Sequence, residues 1–205
     1  MNSAILSGLV ASIPEIRYTG DGKAITSFDL AFTNPSKSES TKLIKAVGFG
    51  KVAESMAQIQ EGDRLILDGA INITNKENNG AKFTLVEFKI SHFDLARCTM
   101  NIVNIAGRTG RDTEVKYFES GTCKAQNSLA VRRTKEQTDW FNLEFWGKSA
   151  EVAGNYVRKG GLIAISGQLK FEEWKDRSSG ELRSKPVINV QQLDLLGSKK
   201  EEELF

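Results

Sequence analysis

The stretch Asp139-Trp140-Phe141-Asn142-Leu143-Glu144-Phe145-Trp146-Gly147 sets two indoles into a strand-like alternation. Side chains alternate faces along a strand, so Phe141, Leu143 and Phe145 point one way and Trp140, Asn142, Glu144 and Trp146 the other. The Phe-Leu-Phe side is the expected core. The two tryptophans then share a polar face, about 20 Å apart at roughly 3.3 Å per residue. Trp174 repeats the arrangement: Leu169 and Phe171 take the core side, leaving Gln168, Lys170, Glu172 and Trp174 outside. Cations are interleaved with these rings. Arg132, Arg133 and Lys135 precede the Trp140 strand, Lys148 follows it, and Lys170, Lys175 and Arg177 surround Trp174. Rings on a wet face can stack bases at roughly 1–3 kcal/mol each while cations hold phosphates, the combination that single-stranded nucleic acid requires. Burial against core or a second subunit would explain one isolated Trp. Three on outer faces among cations point to stacking.

Other chemistries lack their residues. His92 is the only histidine, so no cluster of His ligands for a metal can form, and its strand-like setting KISHFDLA suits a structural or surface role. No G-x-S-x-G, G-x-x-x-x-G-K-[ST], H-E-x-x-H or dinucleotide-binding glycine pattern occurs, and the K-x-D-G nucleotidyl-transfer motif is absent. Cys98 and Cys123 have no metal or redox spacing and read as ordinary small residues. A non-enzymatic chain without cofactor or metal is expected. The formal net charge of +2 is unevenly spread. Residues 1–96 hold 10 Lys+Arg against 11 Asp+Glu, residues 97–198 hold 16 against 12, and residues 199–205 hold 2 against 3. The basic excess lies with the tryptophans.

The elements that must position these residues come as a repeat. Residues 1–34 lie over 100–133 without a gap, matching at Met1/Met100, Asn2/Asn101, Gly8/Gly107, Glu15/Glu114, Tyr18/Tyr117, Gly22/Gly121, Leu30/Leu129 and Ala31/Ala130. After small gaps, GKVAE (50–54) meets GKSAE (147–151) and EGDRLILDG (61–69) meets KGGLIAISG (159–167). The 205 residues are thus two copies of one module joined within Arg97-Cys98-Thr99, as a fusion of two ancestral genes would produce. The expected domains are 1–96 and 100–197, with 198–205 an acidic tail. Alternation predicts strands at 2–9, 25–33, 42–49, 63–73 and 82–95, and at 101–108, 123–132, 139–146, 161–173 and 185–196. One helix per module, KVAESMAQI and KSAEVAGNYV, falls between the third and fourth strands. Five strands with a helix at that point is the order of the oligonucleotide/oligosaccharide-binding (OB) barrel, so the expected fold is all-β with short helices, two tandem five-stranded OB-fold barrels. No apolar run reaches the roughly 18 residues of a membrane span, and the N-terminus opens as a strand without a leader pattern, so a cytoplasmic chain is expected.

MNIVNIAGRTGRDTEVKYFESG, with TDWFNLEFWGKSAEVAGNYVRKGGLIAISGQLKFEEWKD, resembles the bacterial-type single-stranded DNA-binding protein (SSB) family. It is similar in its MN-x-V-x-x-x-G-R-x-x-x-D-x-E-V-x-Y opening, its W-x-x-x-x-[FW]-G-K-x-A-E and its G-x-L-x-x-x-x-W. The first module resembles the family more weakly, through MNSAILSG, PEIRYT-x-x-G and GFGKVAE. The resemblance implies that Trp140, Trp146 and Trp174 stack bases, and that the chain coats single-stranded DNA in replication, recombination and repair, as a nucleoid-associated bacterial protein. A further family aromatic, in the loop after the second strand, is missing from RRTKEQTDW. Opposite the three tryptophans the first module has Leu43, Phe49 and, by this alignment, Lys76, so its platform is depleted. Phe49 is its candidate ring, with Phe83 and Phe88 next. Because the family assembles four barrels, a two-barrel chain implies a homodimer. The tail Glu201-Glu202-Glu203-Leu204-Phe205 is similar to the family's acidic tip that replication and repair proteins grip, though it lacks the proline before the final Phe. Two alternatives stand beside this reading: a single-stranded RNA-binding or repair accessory factor, and a primosome-type module whose barrels bind protein.

Overall fold

Period-two alternation of apolar and polar residues carries both repeats into strands, and the computed structural model describes residues 1–33, 41–78, 81–176 and 180–197, the side chains of 75–78 and 81–83 excepted. The first repeat runs β1 (Asn2–Val10), β2 (Glu15–Tyr18), β3 (Ala24–Thr33), β4 (Thr41–Phe49), α1 (Lys51–Met56), β5 (Arg64–Asn78) and β6 (Ala81–Leu95). The second runs β7 (Asn101–Thr109), β8 (Glu114–Tyr117), β9 (Cys123–Arg132), β10 (Thr138–Trp146), α2 (Lys148–Tyr156), β11 (Leu162–Lys175) and β12 (Leu182–Gly197). The five expected strands of each module are present. Each module adds one four-residue strand, β2 or β8, at its edge.

Both repeats close into barrels. In the first, β1 pairs antiparallel with β5 and at its end with β3, β3 with β4, and β5 with β6. A parallel pairing of β4 with β6, from Lys45↔Glu87 to Val47↔Lys89, completes the ring. In the second, β7 pairs with β11 and β9, β9 with β10, and β10 runs parallel to β12. The β1–β3 seam and its β7–β9 counterpart need close backbone approach. A Cβ added at Gly8 would lie 2.6 Å from the Ala31 carbonyl oxygen, and at Gly107 it would strike that of Ala130, so only glycine lets the strands meet there.

Core residues alternate inward as the pattern predicts. Leu6, Phe28, Leu30, Ile44, Leu67 and Phe88 fill the first barrel, and Val103, Ile105, Leu129, Phe141, Leu143, Phe145 and Ile165 the second. Each such side chain gains roughly 1.5–3 kcal/mol from burial. Helix α1 is docked by Met56, which is fully buried, and by Thr26 Oγ1, which donates to the Ala53 carbonyl at 2.7 Å. It is shorter than KVAESMAQI because the chain tightens after Met56 into i→i−3 bonds, Ala57 N–H to Glu54 and Ile59 N–H to Met56. Phe88, a candidate ring of the first module, is a core residue.

Compactness divides the chain differently from the repeat. One unit holds Met1–Asn2, Val103–Gln168 and the described residues from Val187 onward; the other holds Ser3–Ile102 and Leu169–Pro186. Inside the latter, the Phe171 ring meets the edge of Phe32 at a centroid distance of 6.2 Å, and Lys42 pairs with Glu173.

Candidate nucleic-acid interface

Strand β10 separates its faces as its sequence requires. Phe141, Leu143 and Phe145 are buried, while Trp140 and Trp146 on the opposite face are 46% and 41% exposed. Asn142, between them, is exposed. Glu144 departs from the expectation: it lies on the outer face yet is wholly buried. Its carboxylate is ion-paired with Lys124 and accepts the Trp146 Nε1 hydrogen at 2.7 Å. Lys124 is the residue directly across from Trp146 on β9, and its Nζ sits 5.1 Å from the indole centroid. Carboxylate, ammonium and indole therefore lock one another, and the Trp146 ring is held in a single orientation.

Trp140 is positioned by small neighbours. Its cross-strand partner is Ala130, and its ring lies so close over Gly110 that an added Cβ would meet Cζ3 at 2.8 Å. Just before it, Asp139 is fully buried and receives the Arg133 guanidinium in a two-pronged contact, Nε donating to Oδ2 at 2.9 Å. The pair staples the turn of the β9–β10 hairpin, where the Arg133 N–H also bonds the Gln137 carbonyl at 2.9 Å. Arg133 thus holds Asp139 through Nε and one terminal nitrogen while the residue stays exposed. Arg132 is exposed and donates from Nε to the Thr134 carbonyl at 3.1 Å. Lys135 in the same turn and Lys148 at the start of α2 are exposed.

Trp174, in the unit that holds Leu169–Pro186, is 43% exposed near the end of β11, with Leu169 and Phe171 buried beneath. The carboxylates around it are taken up: Glu172 by Lys185 at 3.0 Å, Asp176 by Arg183 at 2.9 Å and Glu173 by Lys42. Neutralising them leaves the ring in surroundings that do not repel an anionic chain. Lys175 is exposed and Lys170 half-buried. Arg177 lies outside the described residues, as do Glu201, Glu202, Glu203, Leu204 and Phe205.

The first repeat keeps a fainter version of this face. Leu43, opposite Trp140 in the repeat, is 63% exposed, an aliphatic residue where the second repeat has an indole. Phe49, opposite Trp146, is half-buried between two ammonium groups, Lys23 at 5.9 Å and Lys89 at 5.5 Å from its centroid. The side chains of Lys76 and Phe83 lie outside the described set. Among the described residues no group of His, Cys, Asp and Glu is arranged to hold a metal ion.

One ring escaped the sequence. Phe118, in the turn after β8, stacks on Trp146 with centroids 6.1 Å apart and planes 18° from parallel. It follows a four-residue strand too short for its alternation to be read, so neither its face nor its neighbour could be assigned.

The single-strand binding protein family matches residues 1–96 and again 100–196. Single-stranded DNA-binding protein 1 of Synechocystis sp. is 60% identical over 107 residues, covering 50% of this chain and 88% of that protein. A protein of the same name from Nostoc sp. is 57% identical over 107 residues, covering 51% of this chain and 90% of its own. The crystal structure of wild-type single-stranded DNA binding protein from Thermus aquaticus superposes with a TM-score of 0.71 at 25% identity, covering 98% of this chain and 96% of that one. With both repeats matched, each a closed barrel of the expected strand order, the chain belongs to the single-strand binding protein family.

Proposed function

We propose that this chain binds single-stranded DNA largely without sequence preference, and so coats and protects exposed strands during replication, recombination and repair. The observation that carries the reading is the outer face of β10, where Trp140 and Trp146 stand half-exposed above a strand whose other face is core. Every base offers a π-face to such rings, which is why stacking tolerates any sequence. Arg132, Lys135 and Lys148 are the cations nearest this strand in sequence. In the other unit Trp174, with Lys170 and Lys175, is a further stacking candidate, Arg177 is a candidate phosphate ligand by sequence, and Phe49 supplies a lesser platform in the first domain. Residues 100–197 form the main binding domain and 1–96 the weaker one. Two chains assemble as a homodimer with four barrels, at work on the bacterial nucleoid in the cytoplasm. The tail from Glu201 to Phe205 offers replication and repair proteins an acidic, ring-tipped docking segment. The relatives' names favour DNA over RNA. Fluorescence anisotropy with labelled oligo-dT, oligo-U and duplex DNA at equal salt tests the reading. Tight binding of oligo-dT and weak binding of the duplex are expected; equal binding of all three would overturn it in favour of unselective nucleic-acid binding, and binding of none in favour of a protein-binding barrel.

A further inference from the structure

Phe118 is 45% exposed, and its ring lies nearly parallel to the indole of Trp146. A ring whose task was only to cover Trp146 would be buried by what it covers. Trp146, moreover, is already held by Glu144 and Lys124. Phe118 is itself fixed, since the turn is closed by its N–H to the Thr122 carbonyl at 2.9 Å and by the Gly121 N–H to its own carbonyl at 2.9 Å. Beside this turn, along β8 and β9, lies a recess of about 230 Å³ lined by Arg111, Asp112, Glu114, Lys116, Lys124 and Gln126. Lys116 stands directly across from Lys124 in the β8–β9 register. Asp112 is engaged by the Lys159 N–H at 2.8 Å, and neither Arg111 nor Lys116 is ion-paired among the described residues.

We infer that Phe118 with Trp146 forms a further nucleotide subsite, in which a base stacks on the open face of Phe118 and the adjoining phosphate is taken by Lys116 and Arg111. The inference rests on the single-stranded DNA reading above and gives the strand a path across β8 that the tryptophans alone do not specify. A stacked base and a phosphate contact are complementary: the ring orders the base, and the ordered base brings its phosphate to the recess.

The test uses the full chain and an oligo-dT carrying 5-iodouracil, cross-linked by ultraviolet light and mapped by peptide mass spectrometry. An adduct on Phe118 is expected, together with about fivefold to tenfold weaker binding by Phe118→Leu. Lys116→Ala should flatten the dependence of log affinity on log salt by about 0.7. Adducts on Trp140 or Trp146 with none on Phe118, or unchanged affinity in a folded Phe118→Leu chain, would overturn the subsite and leave the wider reading standing. No binding of oligo-dT by the unsubstituted chain would overturn both. The cross-link is read on the unsubstituted chain, so it decides the matter even if Phe118→Leu disturbs the turn.

Discussion

The indole of Trp146 can offer a flat face to a base at low entropic cost only if its rotation is already restrained, and Glu144 supplies the restraint by accepting the Nε1 hydrogen while Lys124 balances its charge. Trp140→Ala and Trp146→Ala should each weaken single-stranded DNA binding by roughly 1–3 kcal/mol without unfolding the chain, as anisotropy titration and a thermal melt would show. Glu144→Gln keeps an acceptor for the indole but loses the ion pair. It should lower unfolding free energy by about 1–2 kcal/mol in urea titration and affect DNA binding less than Trp146→Ala. The exposed tryptophans were legible because their parity with Phe141, Leu143 and Phe145 leaves one choice of face. Glu144 was not: alternation assigns a side, whereas burial on that side depends on Lys124, a neighbour on another strand whose register no local pattern states.

At the level of elements, the β9–β10 hairpin shows two kinds of cation in one turn. Arg133 is committed to the buried Asp139, whereas Lys135 is exposed. Arg133→Ala would leave a buried carboxylate unpaired, a loss of about 3–5 kcal/mol for a fully buried pair and about 1–3 kcal/mol here, because the guanidinium is partly solvated. It should reduce stability in urea and leave the salt dependence of DNA binding nearly unchanged. Lys135→Ala should do the reverse, preserving stability and lowering the salt slope by about 0.7 if the ammonium neutralises one phosphate. The ten long strands and two helices could be read from alternation and from the glycine that precedes each helix, Gly50 or Gly147. Strands β2 and β8 could not, since EIRY and EVKY are short and present almost no buried side. With β8 unseen, the turn bearing Phe118 had no frame in which to be placed.

Across the whole molecule, the two repeats are barrels with unequal surfaces. Residues 97–198 carry all three tryptophans and the excess of cations, while residues 1–96 are net acidic and present Leu43 and Phe49 at the matching positions. Leu43→Trp restores an indole to a position that is already exposed, so it should tighten binding by about fivefold or more in anisotropy, the equivalent of roughly 1 kcal/mol from one added stacking surface. Sedimentation equilibrium should give twice the 22.6 kDa chain mass, and a monomer would contradict the four-barrel assembly. The repeat was visible in the sequence because it preserved glycines and core residues at fixed spacing. The grouping of Leu169–Pro186 with Ser3–Ile102 was not, because it depends on contacts such as Phe32 with Phe171 between residues more than a hundred positions apart. Stacking of bases on the exposed indoles is measured by titrating the intrinsic tryptophan emission of the full chain with oligo-dT at several salt concentrations. Strong saturable quenching whose affinity falls steeply with salt is expected; binding that leaves the emission unchanged would show that bases do not stack on Trp140, Trp146 or Trp174.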